Sequence, residues 1–252
     1  LGQEWTCEVR ATDGTDTTGW IGATTVVVPG GSDLLITELM VDPVEVGDAD
    51  GEYIELLNLS ASPILLDGFE LRDDSGEVHT IVSAGAAWIP AGGTFVLGPN
   101  AQPLANGGVT VGYQYSGFEL SNGGDVVELV YLGVVIDRVA YDGGLTFPAP
   151  TGASIALDPT ALDPISNDDG ASWCVATTPI FEWGDFGTPG AANDDCACAA
   201  SDVDEDGFGS DPAACTPSAL DCDDTDPSTH PGATDICLDD VDQDCDGVDR
   251  SC

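Results

Sequence analysis

The stretch Asp202-Val203-Asp204-Glu205-Asp206-Gly207 sets three aspartates at alternate positions ahead of a glycine. Alternation turns their carboxylates to one side of a loop, and the glycine permits the sharp turn that closes it. Calcium takes six to eight hard oxygen ligands at ~2.3–2.6 Å, so three carboxylates completed by carbonyls and water suit it. An EF-hand would carry a bidentate glutamate where this loop has Ala213, so the loop departs from that pattern, and Asp211 is the candidate for the missing oxygen. Asp242-Gln243-Asp244-Cys245-Asp246-Gly247 repeats the arrangement, with Asp240 beside it, and Asp221, Asp223, Asp224 and Asp226 form a third cluster. A solvated acidic tail is the plain alternative for any charge run. Such a tail has no reason to place aspartates alternately before glycine, or to interleave them with cysteines.

Other metals fit less well. Zinc favours thiolates in a closely spaced pair, and the tail offers only Cys196-Ala197-Cys198. Copper would want His or Met, and His230 is the tail's one such residue. Cys174 and the seven tail cysteines (Cys196, Cys198, Cys215, Cys222, Cys237, Cys245 and Cys252) make an even set of eight. Disulfides are therefore expected, largely within the tail, with Cys174 tying it to the preceding domain and Cys196 its candidate partner. Nine cysteines in all suit an oxidising, extracellular compartment.

Catalytic constellations are lacking. The two histidines, His79 and His230, stand in no metalloprotease motif, and there is no lysine, nucleophile elbow or phosphate-binding glycine loop. The reading is non-enzymatic. Forty-six acids against four arginines give a net charge of −42. That excludes simple electrostatic binding to nucleic acid, repels anionic membranes, and opposes compaction unless cations neutralise it. No apolar stretch approaches the ~20 residues of a membrane span. No signal peptide is recognisable, so any export signal is expected to have been removed or to lie upstream of Leu1.

Three segments must position these groups. Residues 194–252 hold 18 acids, seven cysteines and almost no large apolar side chains. They cannot fold by burial alone, which leaves disulfides and metal as the staples. Residues 33–193 carry short apolar runs at Leu34–Met40, Tyr53–Leu59, Ile64–Leu71, Thr94–Leu97, Val109–Tyr113, Val126–Leu132 and Val134–Tyr141, and His79 falls on a further extended stretch. Turn signals such as Asp67-Gly68, Asn106-Gly107 and Asn122-Gly123 lie among them. This predicts an all-β, immunoglobulin-like antiparallel β-sandwich.

Residues 1–30 read as a β-hairpin, with strands at Glu4–Arg10 and Trp20–Val28. A lone hairpin is marginal in water. Trp5, Cys7 and Trp20 on a half-apolar hairpin, with Cys7 the odd cysteine, mark it as a candidate assembly element. The expected partner is another copy in a homo-oligomer or polymer, or another surface protein. The plain alternative is packing on its own sandwich.

Three resemblances follow from particular residues. Ile36-Thr37-Glu38-Leu39, Glu52-Tyr53-Ile54-Glu55-Leu56 with Asn58 and Ser60, and Leu66, Gly68, Phe69, Leu71 and Asp73 resemble a bacterial lamin-tail domain. So do Ile89-Pro90-Ala91-Gly92, Phe118 to Asp125, Asp137, Val139 and Tyr141, then Gly152, Ser154, Trp173-Cys174, Thr188-Pro189-Gly190 and Asn193. Phe69 stands where that family usually has Trp. The resemblance implies a β-sandwich with a scaffold or adhesion role and no catalytic residues. Asp221-Cys222-Asp223-Asp224-Thr225-Asp226-Pro227, Pro231-Gly232-Ala233 and Asp242 to Gly247 resemble the metal-binding repeat of MopE-like surface proteins. The Trp-x-Cys strand at Trp5 resembles the end of an immunoglobulin-like repeat. The expected function is an extracellular calcium-binding structural or adhesive protein, such as a fibre subunit. The alternative is a glycan- or matrix-binding accessory module, with Trp173, Phe181, Trp183 and Phe186 as its platform. The bland reading of those aromatics is that they close the sandwich. Asn58-Leu59-Ser60 is a formal glycosylation sequon or simply part of the fold.

Overall fold

The computed structural model describes the backbone of 3–9 and 21–27, residues 33–181 and 184–196, and beyond these 201, 203, 204, 208–210, 220–231, 233, 234, 236, 237, 241–245, 247 and 248. Strands β1 (Gln3–Val9) and β2 (Ile21–Val27) pair antiparallel as a two-stranded sheet, Gln3 opposite Val27 and Val9 opposite Ile21. The expected hairpin is thus present. Its turn and Trp20 lie outside the described residues.

The sandwich is built from two larger sheets. One contains β3 (Leu34–Met40), β4 (Tyr53–Asn58), β9 (Thr94–Gly98), β10 (Tyr113–Gln114), β13 (Ile155–Leu157) and β14 (Trp173–Val175), in the order β10-β9-β4-β3-β13-β14. The other runs β12-β11-β6-β7, from β6 (Phe69–Arg72), β7 (Val78–Thr80), β11 (Asp125–Tyr131) and β12 (Val134–Tyr141). A small ribbon pairs β5 (Ile64–Leu65) with β8 (Trp88–Ile89). Leu39, Ile54, Leu56 and Leu97 from the first sheet meet Phe69, Leu71, Leu129 and Val139 from the second in one core. Each such side chain contributes about 1.5–3 kcal/mol by leaving water. Phe69 stacks on Tyr131 with ring centroids 4.4 Å apart. The all-β, immunoglobulin-like fold is as expected from the alternating runs.

Two expected strands differ. Ile64–Leu71 is one run in sequence but two strands in space. Gly68 takes φ +86° and Phe69 N donates to Leu66 O, so the chain turns at Asp67-Gly68 and changes sheet. Val109–Tyr113 is strand only from Tyr113. Asn106 Nδ2 donates to Val109 O (2.9 Å), which occupies a carbonyl a ladder would need. The pairing of β10 with β9 is moreover parallel, against the antiparallel expectation.

Strand β3 is buried along its whole length, so both faces of its sheet are covered there. The outer cover is a strap over residues 185–193. Glu38 and Glu55 sit opposite each other on β3 and β4, both fully buried beneath it. Glu38 Oε1 accepts from Tyr53 Oη (2.7 Å), Ser154 Oγ (2.5 Å) and Thr188 N (2.7 Å). Glu55 accepts from Thr37 Oγ1 (3.1 Å) and Gly190 N (2.6 Å). Asn193 Nδ2 closes the strap on Thr37 O and Leu157 O. Burial pushes both carboxyls up, Glu55 to about 8, with each repelling or hydrogen-bonded within the same network. On the far side of β3, a bulge between Ile36 and Glu38 frees Ile36 N, which donates to Asp137 Oδ2 (2.6 Å).

Candidate metal centre

The tail begins where the sandwich is stapled. Cys174 on β14 forms a disulfide with Cys196, the expected partner. Cys222 and Cys245 form a second, and Cys237 is also disulfide-bonded. Cys198, Cys215 and Cys252 lie outside the described residues. Leu220 bridges Gly209, and Asp221 N donates to Gly209 O (2.9 Å), so the 201–210 and 220–226 segments run side by side.

That juxtaposition brings three of the sequence-selected aspartates together. One oxygen from each of Asp204, Asp221 and Asp224 lies within 4.8 Å of the others. Asp224 ties the segments, accepting from Val203 N (2.8 Å) through Oδ1 and from Ser210 Oγ (2.7 Å) through Oδ2. Asp221 is 5 % exposed. Its Oδ1 accepts from Asp223 N (2.8 Å), while its buried Oδ2 has no hydrogen-bond partner. Burial first, then the charges of Asp204, Asp224 and Asp223, raise its pKa. A buried carboxylate oxygen with no hydrogen bond, on a residue grouped with two further carboxylates, lacks compensation unless a cation supplies it. The donor set is all hard oxygen, which fits a calcium-class ion and not a soft one.

Asp223 and Asp226 are not brought to this cluster. Asp223 Oδ1 accepts from Thr225 Oγ1, and Asp226 Oδ1 accepts from Ser228 N and Oγ, so each caps a local turn at the surface. The Ser228 bonds hold Asp226 below the usual carboxylate range. The 242–247 loop is described in part. Asp242 Oδ2 accepts from Gly247 N (2.8 Å), and its Oδ1 is buried without a hydrogen bond. Cys245 and Gly247 both take positive φ (54° and 93°), which curls the loop around Asp242 and Asp244. Asp202, Asp206, Asp211, Asp240 and Asp246 lie outside the described residues. His230 stacks on Phe208 (centroids 4.8 Å, planes at 7°) and its Nδ1 lies 3.1 Å from Pro231 O, a packing role. Among the described residues the arginines are Arg72 and Arg138, paired with Glu70 and Glu128 on the four-stranded sheet.

The sandwich carries an acidic cleft that the sequence reading did not single out. Asp48, Glu52, Asp73, Asp74, Glu77, Glu119 and Asp125 line it. Glu52 is nearly buried at its base, and burial, with the charges of Asp48, Glu119 and Asp125, takes its pKa to about 8. These acids come from three separate stretches of chain, 48–52, 73–77 and 119–125, so no local motif announces them. Their oxygens do not form a three-ligand group of the kind seen in the tail.

Other candidates resolve as structure. Asn58 of the sequon is fully buried, and its Nδ2 donates to Ser62, Ile89 and Pro90 carbonyls. Trp173 is in the core against Phe147, and of Trp173, Phe181 and Phe186 only Phe181 is exposed. Trp183 lies outside the described residues. Both ring nitrogens of His79 are engaged, by Ser116 O and Tyr113 Oη. No helix among the described residues is long and apolar enough to cross a membrane.

Comparison with known proteins agrees with the fold and the tail. The lamin tail domain family model matches residues 28–143, and a metal-binding motif model of the MopE copper-binding type matches 221–249. No curated protein matches the chain. Among solved structures, a DUF4876 family protein from Bacteroides thetaiotaomicron aligns at 12 % identity and TM-score 0.36, over 54 % of this chain and 64 % of that one. At that level the likeness carries no argument, and this chain spans under two thirds of that protein. Strands β13 and β14 lie beyond the matched segment yet complete its six-stranded sheet. Residues 28–143 thus match a lamin tail domain, with two further strands and a strap beyond the matched segment, and residues 221–249 match a MopE-type metal-binding motif.

Proposed function

We propose that this is an extracellular, calcium-binding structural protein, non-catalytic, whose tail folds around calcium and whose sandwich serves a scaffold or adhesive role. The observation that carries the reading is Asp221, whose Oδ2 is buried without a hydrogen bond and whose carboxylate groups with those of Asp204 and Asp224. Calcium bound by these three would offset most of their charge and join the 201–210 and 220–226 segments. With a net charge of −42 and so little apolar content in the tail, ion binding becomes folding free energy there. Oxidised cysteines are in keeping with secretion. The β1–β2 hairpin, seven residues a strand and a sheet of two strands among the described residues, is the proposed contact between copies in a fibre, or with another surface protein. A glycan- or matrix-binding accessory module is the weaker reading, because Trp173 is withdrawn into the core.

The test is calorimetric titration of the chelator-stripped, oxidised protein with calcium. We expect binding that magnesium reproduces poorly, with protease resistance of the tail restored alongside. Calcium at ~100 times its Kd would stabilise the tail by about 2.7 kcal/mol. Asp221→Asn is expected to lower affinity at least ~10-fold, by analogy with the loss of groups that support a metal. Tail resistance unchanged by excess chelator, or D221N binding calcium like the parent, would refute the assignment.

A further inference from the structure

We propose that Asp221 belongs to two alternative metal sites, and that the redox state of Cys222 and Cys245 selects between them. With the disulfide closed, Asp221 serves the hard-oxygen site with Asp204 and Asp224. With it open, Asp221 and the two thiolates form a site for a zinc-class ion. The inference rests on the calcium reading for its first half only.

Two ligand groups of three are found among the described residues, and they share one member. Asp204, Asp221 and Asp224 form the first, and Asp221, Cys222 and Cys245 the second, each with its ligand atoms within 4.8 Å of one another. The cysteine Cα atoms are 5.6 Å apart. Two sulfurs on one tetrahedral zinc sit about 3.8 Å apart at Zn–S ~2.3 Å, a separation that side-chain rotation alone supplies from this backbone spacing. Cys222 N already donates toward Cys245 Sγ (3.2 Å), and such a bond stabilises a thiolate there. Asp221 Oδ2, the oxygen with no hydrogen bond, is the one left to turn toward either ion. Cys222 is exposed, so a reductant can reach it.

The chemistry balances. A dithiol reductant gives two electrons and two protons to the Cys222–Cys245 bond and leaves as its own disulfide. One S–S bond breaks and two S–H bonds form. Zinc then displaces both thiol protons to solvent and binds two thiolates, Asp221 and a water. One Asp221 carboxylate cannot serve both ions fully, so zinc loading should weaken calcium binding.

The test uses the full chain, reduced with excess dithiol that is then removed without air, with cobalt(II) as the spectroscopic stand-in for zinc. We expect a thiolate-to-cobalt charge-transfer band at one equivalent. It should be absent from the C222S/C245S double variant and from the oxidised protein, and at least ~10-fold weaker in affinity in Asp221→Asn. Because those variants can lose the tail's fold, alkylation mapping of the parent is the second measurement. Zinc should protect Cys222 and Cys245 ahead of the other cysteines, and calcium affinity should fall at least ~10-fold once zinc is bound. No band, a band kept in C222S/C245S, a band indifferent to D221N, or protection falling on other cysteines overturns the proposal. Failure of calcium to bind the oxidised protein, with the cobalt band intact, overturns only the calcium reading.

Discussion

Raising pH from 5 to 9 should destabilise the sandwich, and Glu55→Gln should remove much of that loss. Glu55 is fully buried beneath the strap, and its pKa is raised from 4.5 to about 8. A carboxyl raised on folding makes the folded state the better proton binder. Its stabilising contribution is complete below ~4.5, the unfolded value, and is lost as pH climbs through about 8. The shift spans ~3.5 units, or on the order of 5 kcal/mol at ~1.36 kcal/mol per unit. Local relaxation and water entry reduce this, so ~2–4 kcal/mol is the expected loss from Glu55. Glu52, also raised to about 8, and Asp137, raised to about 7, act in the same direction in parent and variant alike, so E55Q should still lose stability, and the parent should lose more by the share of Glu55. The amide keeps one acceptor for Gly190 N and cannot ionise. The assay is urea unfolding at pH 5, 7 and 9 with calcium held constant, followed by tryptophan fluorescence, with Trp173 a core reporter. If E55Q and the parent lose stability by the same amount between pH 5 and 9, or if the parent gains, the reasoning about the buried pair is wrong.

Gly187→Ala should uncouple the strap. A Cβ there would lie 2.2 Å from Tyr53 Oη and 2.9 Å from Glu38 Oε1, so the Tyr53–Glu38–Thr188 network must open. We expect a loss of ~2–4 kcal/mol in denaturant unfolding, and early proteolysis within 177–195. Deleting residues 1–28 should abolish any polymers seen by electron microscopy of the native material, while leaving the sandwich's unfolding midpoint unchanged. Polymers that survive the deletion would remove the hairpin from assembly.

The parts of the fold that could be read from sequence were those with period. Leu34–Met40 and Val134–Tyr141 match the strands residue for residue, because seven or eight consecutive extended residues leave a clear pattern. Strands β13 and β14 were not anticipated. Each is three residues long, too short for alternation to register, and they owe their place to pairing with β3 and with each other. The same division holds in the tail. The alternating loop ahead of Gly207 flagged Asp204, and the acidic cluster at 221–226 flagged Asp221 and Asp224, and these three do converge. Composition alone could not tell them from Asp223 and Asp226, which are spent on Thr225 and Ser228. The acidic cleft was invisible for a further reason, since Asp48, Asp73 and Glu119 lie on stretches far apart in the chain that only the folded sandwich brings to one cleft.

The Cys174–Cys196 bond also sets how tension would travel through the protein. A pull applied beyond residue 196 enters the sandwich at Cys174, in the middle of β14 and opposite Ala156 of β13. The intervening strap carries none of that load, although its own links to the sheet include only a few hydrogen bonds from Thr188, Gly190 and Asn193. The cysteines are 22 residues apart. At ~3.4 Å per extended residue, roughly 75 Å of chain is thereby withheld from stretching. With the disulfide cut, the same force would peel the strap from Glu38 and Glu55 one contact at a time. With it intact, the force must break the β13–β14 pairing first.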